Sequence, residues 1–155
     1  MSSIKNNVEI ISNNVTLYDD LKKDTAVFLS QPLYESYMSL ASYIKYVSYQ
    51  LDKILNNYNR FFFKFHPRES DAFKDLIKQR FFDKVIFIDN QDLGSFIEEY
   101  KPLVAFSFCS DSLFKLKSKG LKVRFLYGEV DELKNNKFLK NINGIVKRLE
   151  KDSEK

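Results

Sequence analysis

The chain has 155 residues, 44% hydrophobic and 15% aromatic with 15 Phe and 9 Tyr, which fits one domain with a sizeable core and excludes global disorder. Its 25 basic and 21 acidic residues leave a net charge of +4, densest at Lys115, Lys117, Lys119 and Lys122, a balance that tolerates an anionic ligand without demanding one. One cysteine (Cys109) and one histidine (His66) exclude an internal disulfide and leave no metal cluster to build, and no apolar stretch approaches the ~18 residues of a membrane span.

In chain order, residues 1–23 are polar and Asn-rich and read as a linker or incomplete lead-in. One α/β domain over 24–150 is expected to follow, with 151–155 as a frayed tail. Thr25–Ser30 reads as a first strand, ended by Gln31-Pro32. From Glu35 to Asn56, apolar residues at Tyr37, Leu40, Ile44, Val47, Leu51 and Ile54 trace one face of an amphipathic helix. The phenylalanine run Phe61-Phe62-Phe63-Lys64-Phe65 suits a strand buried on both faces. Pro67 holds His66 extended, and Ser70 is placed to cap a helix over Asp71–Gln79. Lys84–Asp89 is a third strand, followed by a short helix capped by Asp92. Leu103–Phe108 is a fourth, followed by a helix from Ser110 or Asp111 to a C-cap at Gly120. Lys122–Tyr127 is the fifth strand, and a last helix is expected over Asn136–Leu149.

Strands alternating with helices, without hairpin signals, predict a Rossmann-like three-layer α/β/α domain on a five-stranded parallel sheet. The core predicted on those strands comprises Val27, Leu29, Phe61, Phe63, Phe65, Ile86, Ile88, Val104, Phe106, Val123 and Phe125. Parallel strands put their C-terminal ends on one rim, where ligands bind at the crevice of strand-order reversal. In a 3-2-1-4-5 order that crevice lies between strands one and four, with His66 on the neighbouring strand two. Gln31 and the stretch Ser107-Phe108-Cys109-Ser110-Asp111-Ser112 share the same rim. Hydroxyls and free N–H groups at a helix start favour an anion such as a phosphate, although Ser and Asp also serve there as ordinary caps.

Other chemistries fit less well. The four glycines (Gly94, Gly120, Gly128, Gly144) provide neither a dinucleotide fingerprint nor a P-loop, and no Gly-x-Ser-x-Gly turn supports a Ser-His-Asp hydrolase. Metal binding is not expected, because no second His or paired Cys accompanies His66. Cys109 reads as a small buried residue, and aromatics confined to strands and helix faces argue against a nucleic-acid platform.

Lys64-Phe65-His66-Pro67-Arg68-Glu69 resembles the His-Pro motif of bacterial sialyltransferases, in particular the lipooligosaccharide sialyltransferase and polysialyltransferase group, glycosyltransferase family 52. Phe28-Leu29-Ser30-Gln31-Pro32-Leu33 looks like the strand and turn that open the donor-binding domain. Phe108-Cys109-Ser110-Asp111-Ser112-Leu113-Phe114 looks like its serine motif, with Cys109 where a hydroxyl residue is usual. The resemblance, over about 24–150, implies the C-terminal donor half of a GT-B glycosyltransferase acting in lipooligosaccharide or capsule synthesis. It implies CMP-sialic acid as donor, no metal or other cofactor, and His66 as the catalytic residue at the departing phosphate. Gln31, Pro67, Arg68, Ser107, Ser110 and Ser112 are the donor-binding residues it implies. The family's general base belongs to an acidic-acidic-Gly motif, and Asp19-Asp20-Leu21 does not match it. The expectation is therefore a half-enzyme, inactive without a separate acceptor-binding half, cytoplasmic, with peripheral inner-membrane contact compatible. A stand-alone nucleotide or phosphosugar binding module is the alternative.

Overall fold

The computed structural model describes residues 25–134. The expected helix over 136–149, the lead-in and the tail lie outside the described residues. Five parallel strands form one sheet in the order β3-β2-β1-β4-β5. They are β1 (Thr25–Leu29), β2 (Arg60–Lys64), β3 (Ile86–Ile88), β4 (Val104–Ser107) and β5 (Lys122–Phe125). The helices are α1 (Leu40–Ile54), α2 (Asp71–Phe81), α3 (Leu93–Tyr100), α4 (Ser112–Ser118) and α5 (Asp131–Lys134). The α/β class and the parallel sheet are as expected from the alternation of elements.

Strand periodicity sorts the core into two layers. Ala26, Phe28, Phe61, Phe63, Phe65, Val104 and Phe106 face Tyr43, Val47 and Leu51 of α1 and Phe73, Ile77 and Phe81 of α2. On the opposite face, Val27, Leu29, Phe62, Ala105 and Val123 meet Phe96 of α3 and Leu113 and Leu116 of α4. The first layer is largely aromatic: Phe63 stacks on Phe28 at 5.2 Å between ring centres and meets Phe65 edge-on at the same distance. Such pairs are worth about 0.5–1.5 kcal/mol each beyond the area they bury.

The sheet edges depart from the expected core. Ile86, on edge strand β3, is 47% exposed, and Ile88 and Phe125 are only half-buried. Each of these strands has a neighbour on one side alone, so the covering helices reach them incompletely.

Local signals set the helix ends. Ser39 accepts from the Ser42 N–H and starts α1 at Leu40, later than the expected Glu35, after a single tight turn at Leu33–Glu35. Ser70 and Asp92 cap α2 and α3 in the same way. After α4, Gly120 takes φ 96° while its N–H bonds Lys117 C=O and the Leu121 N–H bonds Leu116 C=O. That paired closure needs a left-handed residue, which glycine adopts without strain. Among the described residues no helix is long and apolar enough to cross a membrane.

Candidate functional site

The site is built where β1, β2 and β4 end side by side. β1 pairs with β2 on one side and β4 on the other, so Leu29 and Lys64 are register partners and the Gln31, His66 and Cys109 loops converge. Gln31 ties two of those loops together. Its Oε1 accepts from the Cys109 N–H at 3.0 Å and lies 3.2 Å from the Ser107 hydroxyl, which also donates to Leu29 C=O at 2.7 Å. The Gln31 N–H in turn donates to the Tyr43 hydroxyl at 3.1 Å, and Tyr43 shares a 3.0 Å hydrogen bond with Ser30. A helix side chain thereby fixes the mouth of the crevice.

The turn after β2 shapes the histidine. Glu69 N–H donates to His66 C=O at 3.0 Å, closing the turn around Pro67. The Arg68 N–H donates to His66 Nδ1 at 3.1 Å. An imidazole nitrogen that accepts carries no proton, so the neutral ring holds its proton on Nε2. Partial burial, and then the Arg68 charge, push the His66 pKa below its ordinary 6.5, with Glu35 opposing them. At neutral pH His66 is thus an uncharged Nε2–H donor. Arg68 leans across the opening to Glu35 at 3.3 Å, an exposed pair of little stabilising worth.

Glu69 goes inward from the same turn. It is 7% exposed; its Oε2 accepts from the Tyr34 hydroxyl at 2.5 Å, and Tyr34 accepts from the Ser70 N–H at 2.9 Å. Burial raises the Glu69 pKa, with the Ser30 and Tyr34 hydroxyls pulling the other way.

A cleft of about 470 Å³ opens over these groups, lined among others by Gln31, Glu35, His66, Arg68, Ser110 and Ser112. Ser110 Oγ accepts from the Ser112 N–H at 3.2 Å, which leaves its own proton to donate. Cys109 also lines the cleft, but burial pushes its thiol up to about 11, so it stays protonated and is no nucleophile at neutral pH. A smaller hollow of about 80 Å³ adjoins, with His66, Ser110 and Ser112 again among its walls, and Pro67 and Lys64 added.

The fold therefore gathers Gln31, His66, Arg68, Ser110 and Ser112 around one cleft and puts Pro67 beside it. Ser107 stands apart. It is fully buried with its hydroxyl committed to Leu29 C=O and close to Gln31 Oε1, so it braces the end of β1 against β4. Sequence reasoning passed over Tyr34 and Tyr43 and took Glu69 only as part of its motif, whereas the polar ends of all three organise the loops. Tyr43 was findable, since it stands four residues before Val47 on the buried stripe of α1.

The alpha-2,8-polysialyltransferase family model matches residues 3–118, three-quarters of the sequence and every strand of the cleft. The chain belongs to the alpha-2,8-polysialyltransferase family. A search of curated proteins finds no match. Within this polysialyltransferase family member, the matched span carries the Gln31 turn, the His66–Glu69 turn and the Ser110–Ser112 loop together. The relationship to sialyltransferases, and with it a glycosyltransferase of nucleotide-sugar-using type, follows from that match.

Proposed function

We propose that the cleft between β1 and β4 binds a CMP-activated sialic acid and that His66 assists departure of CMP. The observation that carries the reading is the His66 ring itself, a neutral Nε2–H donor on the rim of a 470 Å³ cleft shared with Ser110 and Ser112. Sialyl transfer breaks the bond between the sugar's anomeric carbon and a phosphate oxygen, so negative charge grows on the phosphate. A donor positioned at that oxygen stabilises the developing charge and can hand over its proton as the bond breaks. An arriving phosphate also favours protonated imidazole, which raises the His66 pKa toward the value a general acid needs. Ser110 and Ser112 supply hydroxyls to the phosphate oxygens, Gln31 holds their loop, and Arg68, released from the weak Glu35 pair, adds positive charge.

The same proposal gives the chain the donor-binding role of the C-terminal half in a GT-B arrangement, of the kind found in glycosyltransferase family 52. The order of the three motifs supports it, as does the match of the rim to a sialyltransferase-related family. Surface-glycan synthesis is the accompanying cellular role, and the donor serves as substrate without a resident cofactor.

Calorimetry with CMP, UDP and ADP tests the reading. CMP should bind in preference to the other two. His66→Ala should weaken CMP about tenfold, the worth of one hydrogen bond to a charged group. Absence of CMP binding at millimolar protein and ligand, or an unchanged affinity in His66→Ala, would overturn it.

A further inference from the structure

Lys64 occupies a position that packing alone does not explain. It ends β2 on the sheet face covered by α3 and α4, the face that otherwise buries Val27, Leu29, Phe62, Ala105 and Val123. Its register partners are Leu29 on one side and Ile88 on the other. An aliphatic residue would satisfy that position at less cost, because a half-buried ammonium loses hydration. Desolvation accordingly lowers the Lys64 pKa below its ordinary value, with Asp92 and Asp89 opposing from a distance.

Neither of those acids pairs with it. Asp89 is held by Lys74 at 2.9 Å and Lys78 at 3.8 Å, and Asp92 Oδ2 accepts from the Ser95 N–H at the start of α3. Among the described residues Lys64 has no ion pair within 4 Å. It lines the 80 Å³ hollow behind His66, whose other walls include Leu93, Ser110 and Ser112. Three of the hollow's wall residues, His66, Ser110 and Ser112, also face the larger cleft. Two adjoining compartments with common walls suit a ligand carrying two anionic groups a few bonds apart.

We propose that Lys64 forms an anion subsite behind His66 that takes the carboxylate of the donor sugar while His66 and Ser110 hold the phosphate. This rests on the donor reading above and adds the basis of sugar selection. A 2-keto acid sugar bears its carboxylate on the anomeric carbon, adjacent to the phosphate oxygen, whereas an aldose offers no second anion. Lys64 thus selects acidic sugars over neutral ones, a charge-paired contact that a neutral analogue leaves unmade.

The test titrates the full chain and its Lys64→Gln and Lys64→Met variants with CMP, CMP-sialic acid and the carboxyl methyl ester of CMP-sialic acid. Met keeps the apolar stem and guards against a folding defect in Gln. The wild-type chain should prefer the acid over its ester by about tenfold or more. Both variants should lose that preference while binding CMP within about twofold of wild type. Equal weakening of CMP and CMP-sialic acid would put Lys64 on the phosphate and overturn the proposal. So would a wild-type chain that binds CMP but treats acid and ester alike, and in that case the donor reading survives. A wild-type chain that binds none of the three ligands overturns both.

Discussion

Glu69 shows how one residue ties the geometry of the His66 turn to stability. Its backbone closes the turn that presents His66, while its carboxyl sits 7% exposed against Tyr34. Burial raises its pKa above the ordinary 4.5, so the folded state holds this proton more tightly than the unfolded state. The stabilisation from that proton is fully present below about 4.5 and is lost as pH rises through the folded-state value. Glu69→Gln keeps an oxygen acceptor for Tyr34 and removes the charge. It should match the wild-type urea midpoint near pH 4.5 and exceed it at pH 7.5. A variant less stable than wild type at both pH values would mean that the ionised carboxylate holds the turn.

At the scale of elements, β2 and β3 differ although both are apolar in composition. β2 has strands on both sides and helices on both faces, so Phe61, Phe62 and Phe63 are all buried. Phe63 touches Phe28, Phe65, Phe73 and Phe87. β3 is an edge, and Ile86 keeps 47% of its surface in water. Truncation to alanine should separate the two. Phe63→Ala is expected to cost about 3–5 kcal/mol. Ile86→Ala should cost about 1 kcal/mol or less. Chemical denaturation of both variants checks the ranking, and comparable losses would contradict the edge position of β3.

For the whole molecule, the issue is which groups surround the reacting carbon. Transfer needs a base for the acceptor hydroxyl on the side opposite the departing phosphate. Among the described residues, the carboxylates lining the cleft are Glu35, tied to Arg68 at 3.3 Å, and Asp111, beside Ser110 on the loop after β4. Both lie on the rim that carries His66, and Glu35 is already engaged by Arg68. Residues 25–134 are therefore expected to bind donor, and to expose it to slow hydrolysis where water reaches the open cleft, without themselves supplying the base that transfer needs. An assay with CMP-sialic acid and a galactose-terminated acceptor decides it; robust transfer, lost in Asp111→Asn or Glu35→Gln, would locate the base on this rim after all.

The alternation of short apolar strands, β2 the richest in phenylalanine, with amphipathic helices determined the parallel α/β sheet. Those periodicities record which faces must leave water, and capping residues such as Ser70, Asp92 and Gly120 mark where each helix starts or ends. The His66-Pro67 pair after β2 marked the rim, because proline restricts the backbone before it whatever the surroundings. Tertiary structure alone decided the rest. Whether Ile86 or Phe62 is buried depends on sheet order, which no local pattern encodes. Whether Ser107 meets a ligand or a neighbouring carbonyl depends on Leu29 and Gln31, 78 and 76 residues away in sequence. The tautomer of His66, and the lack of an ion pair at Lys64 among the described residues, depend in the same way on which groups come within a few ångströms. Hydrogen bonds and ion pairs are short-ranged in space and indifferent to sequence separation, so they emerge only once the chain has folded.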